Sequence, residues 1–143
     1  TRTESFNSGH PMRNIKRGGV GLYVRDGIET STIIPTPDLN LENVIVEVKA
    51  RNLILITCYR SPHHTKDTFV ADLLRLLRMF DREKRIILVG DLNENSLQSH
   101  QKSIESEMQR LGFLNLFADT PTTNSLTSID CLYTNFIDHH YKY

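Results

Sequence analysis

Residues 85–94, which read RIILVGDLNE, decide the fold. The apolar first half of this stretch predicts a buried β-strand that closes at Gly90. Asp91 and Asn93 follow at positions i and i+2, so their side chains point the same way in an extended backbone. Ligands of α/β folds bind beyond the ends of such strands. The stretch therefore predicts a site in which an acid activates a water and an amide holds an anionic oxygen or a metal ion.

Three strand patterns precede this stretch. Residues 43–49 alternate between apolar and polar side chains, which predicts a half-buried strand. Residues 53–59 (LILITCY) are apolar on both faces, which predicts a central strand covered by a layer on each side. Residues 19–25 predict a shorter strand that is followed by a turn at residues 26–27.

Two helices are predicted as well. The first begins at Thr65 or Asp67 and ends near Glu83, and charged residues occupy the side opposite its apolar face. The second ends before Gly112, and short strands follow over residues 113–117 and 127–134. Strands that are joined both by hairpins and by helical crossovers predict a mixed sheet in a layered α/β domain. The apolar residues that define the helices are Phe69, Leu73, Leu76, Leu77 and Phe80 in the first and Ile104, Met108 and Leu111 in the second.

The composition excludes several classes of protein. A chain of 143 residues corresponds to one domain at about 150 residues per domain. Its 17 Lys and Arg balance 17 Asp and Glu, which argues against a strongly basic nucleic-acid binder but leaves room for a local basic face. No apolar run approaches the roughly 20 residues of a membrane span, so no membrane partner is expected. The two cysteines, Cys58 and Cys131, form no disulfide framework, which indicates an intracellular setting and no disulfide partner.

Further candidate site residues follow the other strands. Asp130 lies inside the last strand, where a carboxylate needs a partner, either a histidine that it orients or the backbone N–H groups of a hairpin. Tyr59 could donate its hydroxyl to a phosphate and Arg60 could offer its guanidinium fork to one, or the pair could be an interfacial tyrosine and a solvated arginine. Thr122 could bind an anion or simply form a turn. The alternative for Asp91 is an ordinary turn in which its carboxylate caps the next segment.

Taken in order, five segments resemble the endonuclease/exonuclease/phosphatase superfamily, in particular the apurinic-endonuclease-like domain of retrotransposons and related mobile elements. The resemblance implies a layered α/β sandwich and Mg²⁺- or Mn²⁺-dependent hydrolysis of a phosphodiester in DNA, in the nucleus for a mobile-element endonuclease. A phosphatase or lipid phosphodiesterase of the same superfamily is one alternative, and a non-catalytic remnant that only binds or packs is another. The segments are residues 18–25 (GGVGLYVR), 59–62 (YRSP), 89–94 (VGDLNE), 121–123 (PTT) and 127–135 (TSIDCLYTN).

The resemblance also implies a role for each matching residue. Asp91 resembles the acid that activates the attacking water, and Asn93 resembles the amide that holds the scissile phosphate; both are implied metal ligands. Tyr59 resembles the active-site tyrosine near that phosphate. Asp130 resembles the acid that orients the catalytic histidine, and the hydroxyl that the resemblance implies near the site matches Thr122 better than Thr123.

The chain departs from the family pattern at both ends. The family has a metal-binding glutamate near its start, but residues 1–17 read as a polar arm in which Glu4 is no match. Near its end the family has Ser-Asp-His, and Asp138-His139 is interpreted as a chance match because too few residues separate it from the last strand. The expectation is a polar arm followed by a partial domain over residues 18–143, incomplete at both ends and inactive by itself.

Overall fold

The structure, a computed structural model, describes residues 2–4, 19–95, 97, 103–118 and 120–137. This part of the chain contains eight strands, two α-helices and one 3₁₀ turn. In chain order the elements are β1 (Arg2–Glu4), β2 (Gly21–Tyr23), β3 (Ser31–Ile33), β4 (Glu42–Val48), the 3₁₀ turn Lys49–Arg51, β5 (Leu53–Tyr59), α1 (Lys66–Leu77), β6 (Arg85–Asp91), α2 (Ser103–Arg110), β7 (Leu114–Asn115) and β8 (Asp130–Thr134).

Six of these strands form one mixed sheet in the order β3-β4-β5-β6-β8-β7. β5 and β6 run parallel and are joined by the crossover helix α1, whereas the other neighbouring strands are antiparallel. A mixed sheet with helices confirms the predicted fold class. β3 was not predicted, because its three residues give too short a pattern to detect.

The predicted polar arm over residues 1–17 requires correction at its start. Arg2–Glu4 forms β1, which pairs with β2 in a separate two-stranded sheet. Backbone hydrogen bonds hold such a ladder together without apolar side chains, so the polar composition gave no sign of it. Residues 5–18 lie outside the described residues.

Helix α1 begins where the sequence predicts and ends earlier. The Thr65 hydroxyl accepts a hydrogen bond from the Thr68 N–H at 3.4 Å, so Thr65 is the N-cap. The helix ends at Leu77 rather than near Glu83, because the N–H groups of Met79 and Phe80 bond to carbonyls three residues back and the chain turns toward β6. Phe80 lies beyond the helix but still packs against the core.

Burial differs between the two faces of the sheet. In β5, Ile54, Ile56 and Cys58 are buried against the helices, while the residues between them are only half-buried. Two-sided burial was predicted for β5, so its second face is more exposed than expected. β4 shows the reverse: its middle is buried on both faces, where half-burial was predicted. Alternation along one strand cannot show which layers cover it, since that depends on the neighbouring strands.

The substitution Leu73→Asp is expected to unfold the domain. Leu73 is 1% exposed in the core between α1 and the sheet, and an unpaired carboxylate buried there costs several kcal/mol, against a total stability of about 5–15 kcal/mol. Circular dichroism melts against Ala71→Asp, on the exposed face of the same helix, measure the effect. A soluble Leu73→Asp variant with an unchanged melting temperature would refute this assignment of the helix face.

Candidate active site

Four polar side chains form a row across the ends of adjacent strands. Asp91 of β6 pairs directly with Asp130 of β8, and Glu42 of β4 pairs directly with Tyr59 of β5. When the parallel register of β5 and β6 is extended by two residues, Tyr59 falls level with Asp91. Residues in register point to one face, so the row lies on the face opposite the helices. The structure thus brings together three of the predicted site residues, Tyr59, Asp91 and Asp130. It adds Glu42, which only the strand register reveals.

The two aspartates of this row face each other at close range. Next to them the Leu92 N–H donates to the Ile129 carbonyl at 3.1 Å, so Asp91 and Asp130 form a non-hydrogen-bonded pair, the kind with the closer side chains. Opposed Cβ atoms lie about 4.5–5.5 Å apart, and like charges there repel. Burial raises the pKa of the Asp91 carboxyl, and the charge of Asp130 raises it further, while the hydrogen bond from the Asn93 N–H lowers it. The two carboxylates therefore form an acid pair, whose mutual repulsion a nearby cation would relieve.

The close approach of β5 and β6 requires a glycine at position 90. A Cβ at Gly90 would lie 1.7 Å from the carbonyl oxygen of Cys58, and the Gly90 φ of +156° is rare for other residues. The absence of a side chain at Gly90 therefore admits the neighbouring strand.

Both cysteines lie in the core and take no part in the site. Cys58 and Cys131 are free thiols, as the sequence predicts. Burial raises the pKa of Cys58 to about 12 and that of Cys131 well above its ordinary value. Neither residue therefore supplies a thiolate nucleophile at neutral pH.

Asn93 folds back onto the end of β5. Its N–H donates to Oδ1 of Asp91 at 2.9 Å, and its Nδ2 donates to the carbonyl of Arg60 at 2.7 Å. Its φ of +48° is left-handed, which asparagine tolerates better than most residues. The amide thus lies beside Asp91, and its nitrogen is bound to the backbone.

Arg60 has a different place from the one predicted. It is 5% exposed, and its guanidinium donates to three backbone carbonyls: Nε to Leu92 at 2.5 Å, Nη1 to His64 at 2.6 Å and Nη2 to Asn93 at 2.6 Å. Burial lowers the pKa of Arg60, and the nearby Glu94 carboxylate opposes that shift. The prediction that Arg60 offers its fork to a phosphate is corrected, because backbone carbonyls already occupy the fork.

Thr122 braces the strand that carries Asp130. Its hydroxyl accepts from the N–H of Ile129 at 3.2 Å and from that of Asp130 at 3.3 Å, and its own N–H donates to the Thr127 carbonyl at 2.8 Å. The structure therefore puts Thr122 next to Asp130. Its binding of a substrate stays a prediction.

Glu94 is a buried acid that no local sequence pattern singles out. Its carboxylate accepts from the Ser103 hydroxyl at 3.1 Å and from the N–H groups of Ile104 at 3.0 Å and Glu105 at 2.9 Å. It also pairs with Lys66 at 3.2 Å, where α1 begins. Glu94 thus caps α2 from outside the helix, and rules that look only at the residues next to a helix miss such a cap.

The donor set at the row fits a hard divalent cation. Mg²⁺ is held in many proteins by one or two carboxylates, with substrate phosphate and water completing its shell. Asp91 offers a carboxylate and Asn93 an amide oxygen to such an ion, and the Asp130 carboxylate lies opposite Asp91. The described residues contain no larger His, Cys, Asp and Glu cluster that could hold a metal. The predicted chance match at Asp138-His139 lies outside the described residues.

The substitution Asp130→Asn is expected to stabilise the chain at neutral pH without added metal. It removes one of two opposed like charges, a gain of about 0.2–1 kcal/mol or about 1–5 °C in melting temperature. The raised pKa of Asp91 means that its charge costs stability above that pKa and that this cost fades as the pH falls, so the gain shrinks in acid. Thermal melts against the exposed control Asp81→Asn measure it, and a lower melting temperature for Asp130→Asn would contradict the acid pair.

Comparison with known proteins identifies the fold. The chain matches no family model, and no curated protein sequence matches it. It is similar to the endonuclease domain of TRAS1, a telomere-specific non-LTR retrotransposon, with a TM-score of 0.65 and 17% identity over 93% of this chain and 65% of that one. It is also similar to the human Nocturnin catalytic domain with bound sulfate anion, with a TM-score of 0.60 and 13% identity over 94% of this chain and 60% of that one.

These coverages show that the chain spans less than two thirds of either solved domain. The described part of the chain contains no helix long and apolar enough to cross a membrane. The shared topology confirms what the sequence resemblance implies about architecture: the chain has the endonuclease/exonuclease/phosphatase fold.

Proposed function

We propose that this chain carries part of the active site of a divalent-cation-dependent phosphodiesterase, a DNA endonuclease of the kind that mobile elements encode. The observation that carries the proposal is the row in which Asp91 opposes Asp130 with Tyr59 level beside them. Two acids and a phenol at the ends of central strands suit the binding and hydrolysis of a phosphate ester. Similarity to a retrotransposon endonuclease domain supports a nucleic acid as the substrate. DNA as that nucleic acid and the nucleus as the location are part of the proposal.

In this proposal each residue at the site has a separate role in the reaction. Asp91 takes a proton from the attacking water, and its raised pKa brings it closer to the neutral range in which a general base works best. The Asn93 N–H orients the Asp91 carboxylate through its bond to Oδ1. Tyr59 donates its hydroxyl to a phosphate oxygen, and Asp130 orients an imidazole as the resemblance implies.

The cofactor we propose is Mg²⁺ or Mn²⁺, held by Asp91 and Asn93. A cation of this kind offsets the charge of a phosphate and lowers the pKa of a bound water. The repulsion between Asp91 and Asp130 supports this proposal, because a nearby cation would relieve it.

We also propose that residues 1–143 do not cleave DNA by themselves. The resemblance implies a metal-binding glutamate and a histidine that Asp130 would orient, and neither is identified among the described residues. Loss of one catalytic partner commonly lowers the rate by several orders of magnitude.

A plasmid-nicking assay with Mg²⁺ tests the proposed function. It compares residues 1–143 with the complete protein product of the gene, each as wild type, as Asp91→Ala and as the exposed control Asp81→Ala. We expect the complete protein to nick, the Asp81→Ala variant to match it, and Asp91→Ala to fall by at least about 100-fold. Residues 1–143 should stay at background.

Other outcomes would contradict parts of the proposal. Nicking by residues 1–143 that disappears in Asp91→Ala would show that the chain holds its own histidine, and would point to Asp138-His139. A complete protein that neither nicks nor is stabilised by Mg²⁺ would favour a remnant that only binds or packs. Hydrolysis of a phosphate monoester or a lipid headgroup, but not of DNA, would favour a phosphatase or lipid phosphodiesterase.

A further inference from the structure

We propose that Arg60 is the positioning residue of this site: it fixes the turn that carries Asp91 and Asn93, and it does not bind the phosphate itself. The inference rests on the proposed function, since it explains how that site keeps its shape. Arg60 directly follows the last residue of β5, so it lies where the central strand meets the turn after β6.

The main chain of Arg60 holds both ends of the turn. Its N–H donates to the Asp91 carbonyl at 2.9 Å. Its carbonyl accepts from Nδ2 of Asn93 at 2.7 Å. The backbone of one residue is therefore bonded both to the candidate base and to the side chain of the candidate phosphate-binding amide.

The side chain of Arg60 holds the same turn from inside the protein. Nε and Nη2 donate to the carbonyls of Leu92 and Asn93, and Nη1 donates to the carbonyl of His64, in the segment that leads to α1. A guanidinium presents its donors in a rigid plane, so one group can hold three carbonyls at fixed positions. The single ammonium of a lysine cannot reproduce that arrangement.

These contacts support a backbone shape that is costly by itself. Asn93 has a φ of +48°, and left-handed backbone persists where surrounding contacts hold it. Without Arg60, the carbonyls of Leu92 and Asn93 would lose their donor, at a cost for each buried polar group that is left unsatisfied. The turn would then relax, and the Asn93 side chain would leave its place beside Asp91.

A phosphate-binding arginine would have a different environment. It would turn its fork toward solvent, where a substrate arrives, and its charge would be the property that matters. Arg60 is buried, and each of its side-chain nitrogens donates to the backbone. Substitution of Arg60 by lysine therefore distinguishes the two roles, because lysine keeps the charge of arginine and lacks its planar fork.

Three variants of residues 1–143 test the inference: Arg60→Gln, Arg60→Lys and the exposed control Arg51→Gln at the other end of the sheet. NMR measures the Asn93 φ from its HN–Hα coupling and follows the shifts of its side-chain amide. Loss of free Mn²⁺ signal in electron paramagnetic resonance measures metal affinity. We expect both Arg60 variants to lose the left-handed coupling and to bind Mn²⁺ at least about tenfold more weakly, with Arg51→Gln like wild type.

The contrary results are distinct. If Arg60→Gln keeps the Asn93 coupling and the Mn²⁺ affinity, or if Arg60→Lys matches wild type, positioning by the fork is overturned. If Arg60→Gln does not fold, the same two measurements on Arg60→Lys test the inference. If wild type binds no Mn²⁺, the proposed metal site fails, while the coupling still decides whether Arg60 fixes the turn. In the complete protein, Arg60→Gln is expected to lower kcat and to leave KM within about twofold of wild type if Arg60 positions the turn. If Arg60 binds the phosphate, the same substitution raises KM.

Discussion

The parallel pairing of β5 with β6 is the constraint on which the rest of this structure depends. Parallel neighbours need a crossover, and α1 supplies it while covering one face of the sheet. At their carboxyl ends the two strands approach so closely that a Cβ at Gly90 would overlap the Cys58 carbonyl. This approach puts Asp91 within hydrogen-bonding reach of Arg60. β8 then pairs along the other side of β6 and puts Asp130 opposite Asp91.

Two buried charges hold the turn that follows β6. Arg60 bonds to its backbone on one side, and Glu94 at its far end is bonded to the first amides of α2. A buried charge is costly unless hydrogen bonds or an opposite charge compensate it, and both of these charges are hydrogen-bonded. The guanidinium is satisfied by carbonyls, and the carboxylate is satisfied by amides and Lys66. The turn is therefore tied to the central strand and to both helices, which suits a segment that must hold reactive groups in place.

The sequence predicts local features well and long-range contacts poorly. The apolar run of β6, the Thr65 cap and the helical spacing around Leu73 are visible because each depends on neighbours within a few residues. The acids at the strand ends could be found in the same way. The contacts of Arg60 with the turn after β6 and of Glu94 with α2 could not, since they join segments whose proximity only the fold creates. The sequence therefore predicts which strand ends carry the candidate site, whereas the contacts by which Arg60 holds its turn depend on the fold.

The polar residues near the site fall into two groups, and the difference in their surroundings bears on function. Arg60, Glu94 and Thr122 form hydrogen bonds with backbone groups of neighbouring segments and thereby hold the scaffold in place. Tyr59, Asp91 and Asp130 stay half-buried at the strand ends, and the two acids repel each other there. A sheet selected for stability alone would place an uncharged or oppositely charged pair at that position. Repulsion within this acid pair lowers the stability of the chain, and neighbouring residues hold the turn beside it. Such an arrangement is expected where a cation or a proton binds during function.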